Sequence, residues 1–223
     1  MEKKTTGDFV LARFLLDIAI DVVIVVVMVL IIRTYIFAPF RVHGPSMCDT
    51  FNVYNGECYN GDGEFILVSR LSTWNLWTWS PTALDRGDVI VFQAPYSEPG
   101  EFYIKRVIGL PGDTLKIENG YVYLKDATGA FVLLSEPYLN ADNLGHTYPY
   151  RNSSETYDVP DGQYFALGDN RTKSSDARRC FQQLGCNEQS SPYLALDLIQ
   201  GEVKVVLFPF SHFRFVYDQD YGL

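Results

Sequence analysis

The chain has 223 residues, of which 47% are hydrophobic, 15% aromatic and 20% charged. That composition belongs to a folded domain of moderate size with room for an anchor, and it excludes a disordered chain. A net charge of −9 excludes a nucleic-acid partner, which calls for clustered Lys and Arg, and reads as exterior solubility.

In chain order, residues 1–13 form a short N-terminal segment on the inner, cytoplasmic side. From Phe14 to Ile32 the sequence is nearly all Leu, Ile and Val, with Asp17 and Asp21 as the charges. Its uninterrupted part, Val22 to Ile32, is too short for the ~20 helical residues that a bilayer core requires. The span must therefore take in the two acids or run past Arg33, and residues 14–37 are assigned as a single transmembrane anchor. Asp17 and Asp21 lie four apart on one helical face near the helix start, where hydration and the macrodipole favour them. Arg33 can snorkel at the other end. No small-x-small cleavage site follows the run, but the bulky Tyr35-Ile36-Phe37-Ala38-Pro39-Phe40, so the segment is retained rather than removed. Lys3, Lys4 and Arg13 before it, against Arg33 and Arg41 after it, put the N-terminus inside. The expected location is a cell membrane, with residues 38–223 outside.

Beyond the anchor the pattern changes to short β-like runs between turns. Phe65 to Val68, Asp88 to Phe92, Tyr103 to Ile108, Thr114 to Ile117, Tyr121 to Leu124, Gln163 to Leu167 and Glu202 to Phe208 are the strand candidates. Asn119-Gly120 is a two-residue hairpin signal between two of them. The expected fold is mainly β, one catalytic domain behind one transmembrane helix. Trp74, Trp77 and Trp79 form an aromatic loop that suits either a core cap or the bilayer interface. An excursion over about 126–158, rich in Tyr, Asn, Pro and Ser from Ser135 on, is expected outside the core.

Four cysteines lack the CxxC spacing of a zinc or redox site. Cys180 and Cys186 bracket one short loop, and Cys48 and Cys58 another. Two disulfides would indicate an oxidising compartment, although spacing alone leaves the connectivity open.

Gly44-Pro45-Ser46-Met47, shortly after the anchor, supplies a candidate nucleophile. A serine hydroxyl needs a group to take its proton, and neither His146 nor His212 lies in a recognisable motif, while His43 is too near Ser46 to face it reliably. A neutral lysine can serve instead: burial lowers the ordinary pKa of about 10.4 by up to ~3–5 pH units. Lys105 lies in Phe102-Tyr103-Ile104-Lys105-Arg106-Val107-Ile108, a strand-like run where period 2 puts it on the face of Tyr103 and Val107.

Together these segments resemble the type I signal peptidase family, membrane-anchored Ser–Lys endopeptidases, over most of the chain from Thr34 to Phe208. Phe40 to Met47 resembles the nucleophile segment, implying Ser46. Arg86 to Phe92 resembles the strand before the base, and Tyr103 to Asp113 the base segment, implying Lys105 as general base. Gly168 to Arg178 resembles the last motif: Ser174 would bond and orient the Lys105 amine, while Asp176 and Arg178 brace the site together with Arg106. By position, Phe40, Val42, Met47, Tyr103 and Ile104 would line shallow pockets for small-x-small substrates, bound as an added β-strand. The implied partners are the signal peptides of preproteins, the lipid bilayer and the protein export machinery, with no cofactor and no metal. Three positions depart from the family pattern: Asp49 replaces a proline, Gly44 replaces a hydroxyl residue two before the nucleophile, and Ala177 stands where serine is frequent. Two rivals remain, a self-cleaving repressor-like Ser–Lys protease and a catalytically inactive, membrane-tethered peptide-binding β module.

Overall fold

The structure, a computed structural model, describes residues 6–71, 74–75, 80–81, 83–96, 98–151, 155–217, 219 and 221. Lys3, Lys4, Trp77 and Trp79, on which the charge bias and the aromatic loop partly rest, lie outside them.

Helix α1 runs over Thr6–Ile31 and ends in a wider turn over Ile32–Ile36. The stretch Val10–Ile36 is long and apolar enough to cross a bilayer, with none of it buried in protein. The helix therefore includes Asp17 and Asp21, as the shortness of the purely apolar part demands. At Phe37 the chain passes without a linker into β1, Phe37–His43. No strand was expected before Phe65, because Pro39 and the bulky residues ahead of it read as the tail of the anchor.

The other strands of the main sheet are β2 (Asp62–Ser69), β3 (Val89–Gln93), β4 (Phe102–Gly109), β9 (Gln163–Leu167), β10 (Leu194–Ala195), β11 (Ile199–Phe208) and β12 (Arg214–Phe215). They hydrogen-bond in the order β1-β2-β11-β3-β4-β9-β10, with β12 on β11. A second, four-stranded sheet is built from β5 (Thr114–Glu118), β6 (Tyr121–Lys125), β7 (Phe131–Leu133) and β8 (Thr156–Asp158), in the order β7-β6-β5-β8. Asn119 and Gly120 join β5 to β6 with φ of 51° and 87°, the double positive φ that a tight hairpin turn requires.

Two apolar cores share β3. Ile90 and Phe92 pack into the larger, with Val107, Ile108, Leu115, Phe165 and Leu167. Val89 and Val91 point into the smaller, with Val42, Met47, Phe51, Ile66, Val68 and Val206. A strand buried on both faces reads as a continuous apolar run, which is why Asp88 to Phe92 was legible.

Two edges near the nucleophile stay open among the described residues. β1 pairs only with β2, and β4 pairs with β3 from Phe102 to Arg106 but with β9 only from Arg106 to Gly109. The Phe40 and Phe102 rings meet at 5.3 Å, so the edge of β1 and the edge of Phe102–Lys105 flank one cleft.

The excursion corrects an expectation. It carries β7 and β8, and Leu134, Leu139, Asn143 and Thr147 within it are buried. Its polar composition suggests solvation, but one of its charges is paired inside: Glu136 accepts from both terminal nitrogens of Arg171, at 2.9 and 2.5 Å.

Candidate active site

Ser46 sits in a turn just past β1. Gly44 starts it with φ of 79°, a left-handed backbone that glycine adopts without the strain a β-carbon brings. That conformation explains why a hydroxyl residue is absent there, although the space around its Cα is open. Cys48 N then donates to Pro45 O at 3.0 Å, and Thr50 N and Phe51 N donate to Met47 O at 3.0 and 2.9 Å. The Cys48–Cys58 disulfide ties the turn to the following hairpin, and a Cys180–Cys186 disulfide closes the other short loop.

Lys105 Nζ lies 2.9 Å from Ser46 Oγ and donates to Ile104 O at 2.7 Å. The side chain is 3% exposed. Burial pushes its pKa down to about 8, against the opposing pull of Asp176 and Asp169. An amine that is neutral in a useful fraction near neutral pH, in hydrogen-bond contact with a hydroxyl, can take its proton. Neither His43 nor His212 competes for this role. His43 Nδ1 lies 2.8 Å from Asp62 at the surface, and His212 Nδ1 lies 2.9 Å from Glu64.

The supporting residues divide. Asp176 is buried and accepts from Gly168 N at 3.0 Å and from Arg178 at 2.9 and 2.8 Å. Burial alone would raise its carboxyl; the charge and hydrogen bonds of Arg178 hold it below the ordinary range. Arg178 also reaches Arg171 O at 2.8 Å, so the pair braces the whole 168–178 segment. Arg106 is buried against Asp169, with contacts of 3.0 and 2.7 Å, and donates to Thr50 Oγ1 at 3.0 Å. Thr50 in turn donates to Asp169 at 2.5 Å.

Ser174 departs from expectation. Its Oγ is buried without a hydrogen-bond partner, and the Lys105 amine is oriented instead by the Ile104 carbonyl. Ser174 packs on Gly168, where a β-carbon would lie 2.2 Å from Ser174 Oγ and 2.5 Å from Ser46 O. Gly168 is therefore needed for the nucleophile turn and the last motif to approach each other.

A cleft of about 470 Å³ opens over Ser46 and Lys105, and Phe40, Val42, Tyr103 and Ile104 line it. Met47 does not. It is fully buried in the smaller core, because the turn points its side chain away from the cleft. Ile66 and Val91 line the cleft instead.

Sequence reasoning missed the residues that hold the turn from behind. Glu64 is fully buried; it accepts from Asn52 N at 3.0 Å and from Arg214 at 2.7 and 3.0 Å, and Arg214 also donates to Thr50 O at 2.6 Å. Arg214 lies 150 positions from Glu64, and no local pattern announces a contact of that separation. Asp169 was within reach, since it lies in the quoted segment Gly168-Asp169-Asn170-Arg171.

Residues 15–208 match the family described as signal peptidase, peptidase S26. A signal peptidase I from Bacillus amyloliquefaciens is 33% identical over 89% of this chain and 91% of its own length. Signal peptidase I S from Bacillus subtilis (strain 168) is 31% identical over 91% and 94%, and signal peptidase IB from Staphylococcus aureus (strain MRSA252) 28% over 92% and 96%. A solved signal peptidase I from Enterococcus faecalis V583 aligns at 30% identity, covering 56% of this chain and 96% of that one, with a TM-score of 0.39. With the family pattern spanning nearly the whole described fold, the chain belongs to the signal peptidase family, peptidase S26.

Proposed function

We propose that this chain is a membrane-tethered serine endopeptidase that removes signal peptides from exported preproteins with a Ser46–Lys105 dyad. The observation that carries the reading is the buried Lys105 amine, its pKa near 8, at 2.9 Å from Ser46 Oγ. Neutral Lys105 accepts the Ser46 proton as Oγ attacks the scissile carbonyl. The resulting ammonium returns the proton to the leaving amine, and an acyl-enzyme remains. Lys105 then takes a proton from water as the water oxygen attacks the ester carbonyl, and returns that proton to Ser46 Oγ as the acyl–oxygen bond breaks. Asp176 and Arg178 brace the segment behind the base, and Arg106 with Asp169 braces the turn under the nucleophile.

The open edges of β1 and β4 suit an extended peptide added as a strand. The aromatic and branched side chains of Phe40, Val42, Tyr103 and Ile104 leave shallow pockets, which supports cleavage after small-x-small sites. Residues 14–37 serve as the anchor in the cell membrane, with 1–13 inside and 38–223 outside, beside the export machinery. Two disulfides support an oxidising outer compartment.

The test is cleavage of a purified secretory precursor by the full chain in detergent. Ser46→Ala and Lys105→Ala should each lower the rate by about 10⁴-fold or more without unfolding the domain, as removal of a catalytic group does in other serine proteases. Full activity in either variant would sink the dyad. A wild-type chain that binds the signal peptide and leaves it intact would instead mark a binding module.

A further inference from the structure

Asp49 occupies a conformation that an L-residue adopts reluctantly, with φ of 153°. Such backbone strain, of order 1–3 kcal/mol, persists only where surrounding contacts over-determine it. The contacts here come from the excursion. Asp49 Oδ2 accepts from Asn140 N at 2.9 Å, and Asn143 Nδ2 lies 3.1 and 3.0 Å from the two carboxylate oxygens. Asn143 is 3% exposed, and its Oδ1 accepts from Thr172 N at 3.4 Å. Two residues before Thr172, Asn170 N donates to Ser46 O at 3.1 Å. The contacts close a ring: Ser46 to Asn170, along the chain to Thr172, through Asn143 to Asp49, and three residues back to Ser46.

Each link in that ring has one geometry. A partly buried carboxylate facing amide donors loses stability when those donors are removed. Burial raises the Asp49 carboxyl above its ordinary range, while the Asn140 and Asn143 bonds pull it back; Asp169 and Arg171 are the other charges acting on it. Proline, which the family pattern puts at this position, has φ locked near −65° and could neither adopt this backbone nor join the ring. Asp49 and Asn143 do not line the cleft, and the ring ties them to the Ser46 turn.

We propose that Asp49 and Asn143 are positioning residues that, given the Ser46–Lys105 reading above, hold the nucleophile turn at the angle from which Oγ reaches the scissile carbonyl. The excursion is thereby part of the catalytic apparatus, since Asn140 and Asn143, which hold Asp49, come from it.

The test uses precursor cleavage by the full chain in detergent micelles, with thermal unfolding measured on every variant. Asp49→Ala and Asn143→Ala each lower kcat by about 10- to 100-fold, the scale of a misplaced reacting group, and leave KM within about twofold. The double variant is no slower than the slower single variant, because either change opens the same ring. The exchange of Asp49→Asn with Asn143→Asp sets an acceptor against a donor again and recovers kcat to within about tenfold of wild type, on the scale of one hydrogen bond. If Asp49→Ala does not fold, Asn143→Ala and the exchange carry the test. An unchanged kcat, additive losses in the double variant, or a raised KM at constant kcat each overturns the proposal. Ser46→Ala and Lys105→Ala run alongside: their activity would remove the underlying reading. Inactive dyad variants beside an unimpaired Asp49→Ala would remove the positioning role alone.

Discussion

Ser46 and Lys105 reach their 2.9 Å contact from two different kinds of structure. Lys105 stands on β4, paired to β3 residue by residue from Val89↔Arg106 to Gln93↔Phe102. Those bonds are main-chain bonds, which almost any side chain would leave intact. Ser46 stands on a turn with no ladder, and its position depends on particular side chains: Thr50 on Arg106 and Asp169, Arg214 and Glu64 behind, Asp49 on Asn143 at the flank. The strand pairing that carries Lys105 should survive most substitutions, and the side-chain contacts that hold the Ser46 turn, Arg106 of β4 among them, should not.

The most severe way to break this comparison is Arg106→Met. It leaves Asp169 charged and unpaired in a fully buried site and strips Thr50 of a partner. Removing one member of a buried pair costs about 3–5 kcal/mol, so denaturant unfolding should show a loss of that size. A loss below about 1 kcal/mol, the range of an exposed pair, would mean that the turn does not depend on its braces.

Lys105→Met sharpens the other half. The folded-state pKa is depressed, so the wild-type fold binds fewer protons than the unfolded chain between about 8 and the ordinary lysine value of 10.5. Wild-type stability therefore rises with pH through that window. Below pH 8 the fold carries the full penalty of a buried ammonium, and the variant, expected to be inactive on the proposed reading, should be more stable there by about 3 kcal/mol. The gain should shrink from pH 8 upward and vanish near 10.5. In the wild type, kcat/KM for the free enzyme should climb through a midpoint near 8 as the amine loses its proton. An activity profile flat from pH 6 to 9 would contradict a lysine base.

Gly44→Ser tests the smallest effect. Space is open around this position, so the only penalty is a positive φ for a residue with a β-carbon. About 1 kcal/mol is expected, read as a modest fall in the thermal midpoint. A gain in stability would mean that the turn relaxes more easily than its braces suggest.

The same contrast governs what could be read from the sequence. The run from Asp88 to Phe92 announced β3 because both faces are buried, and Tyr103 to Ile108 announced β4. Ser46 and Lys105, which the structure sets 2.9 Å apart, could be singled out because each lies in a short contiguous motif, and both cysteine pairs because each encloses a short loop. Three features escaped for physical reasons. β1 escaped because Pro39 and its bulky neighbours continue the anchor's composition. Met47 was assigned to the cleft because a residue beside a nucleophile is as apolar whether it faces substrate or core, and only the turn geometry decides. The braces escaped because Glu64 and Arg214, or Asp49 and Asn143, come from distant segments whose polar composition suggests solvent exposure. In the structure Glu64 and Asn143 are buried, Asp49 and Arg214 partly so, and each pair is bonded.

The gap between the free margins of β1 and β4 imposes a selection of its own. Only a polypeptide with unsatisfied amides and carbonyls can complete that gap, so a helix or an already folded region gives it nothing to bind. On the proposed reading, the protein tests the conformation of a passing chain before any side chain is sampled. Exported proteins that have finished folding should escape cutting even where their surfaces carry an acceptable run of small residues.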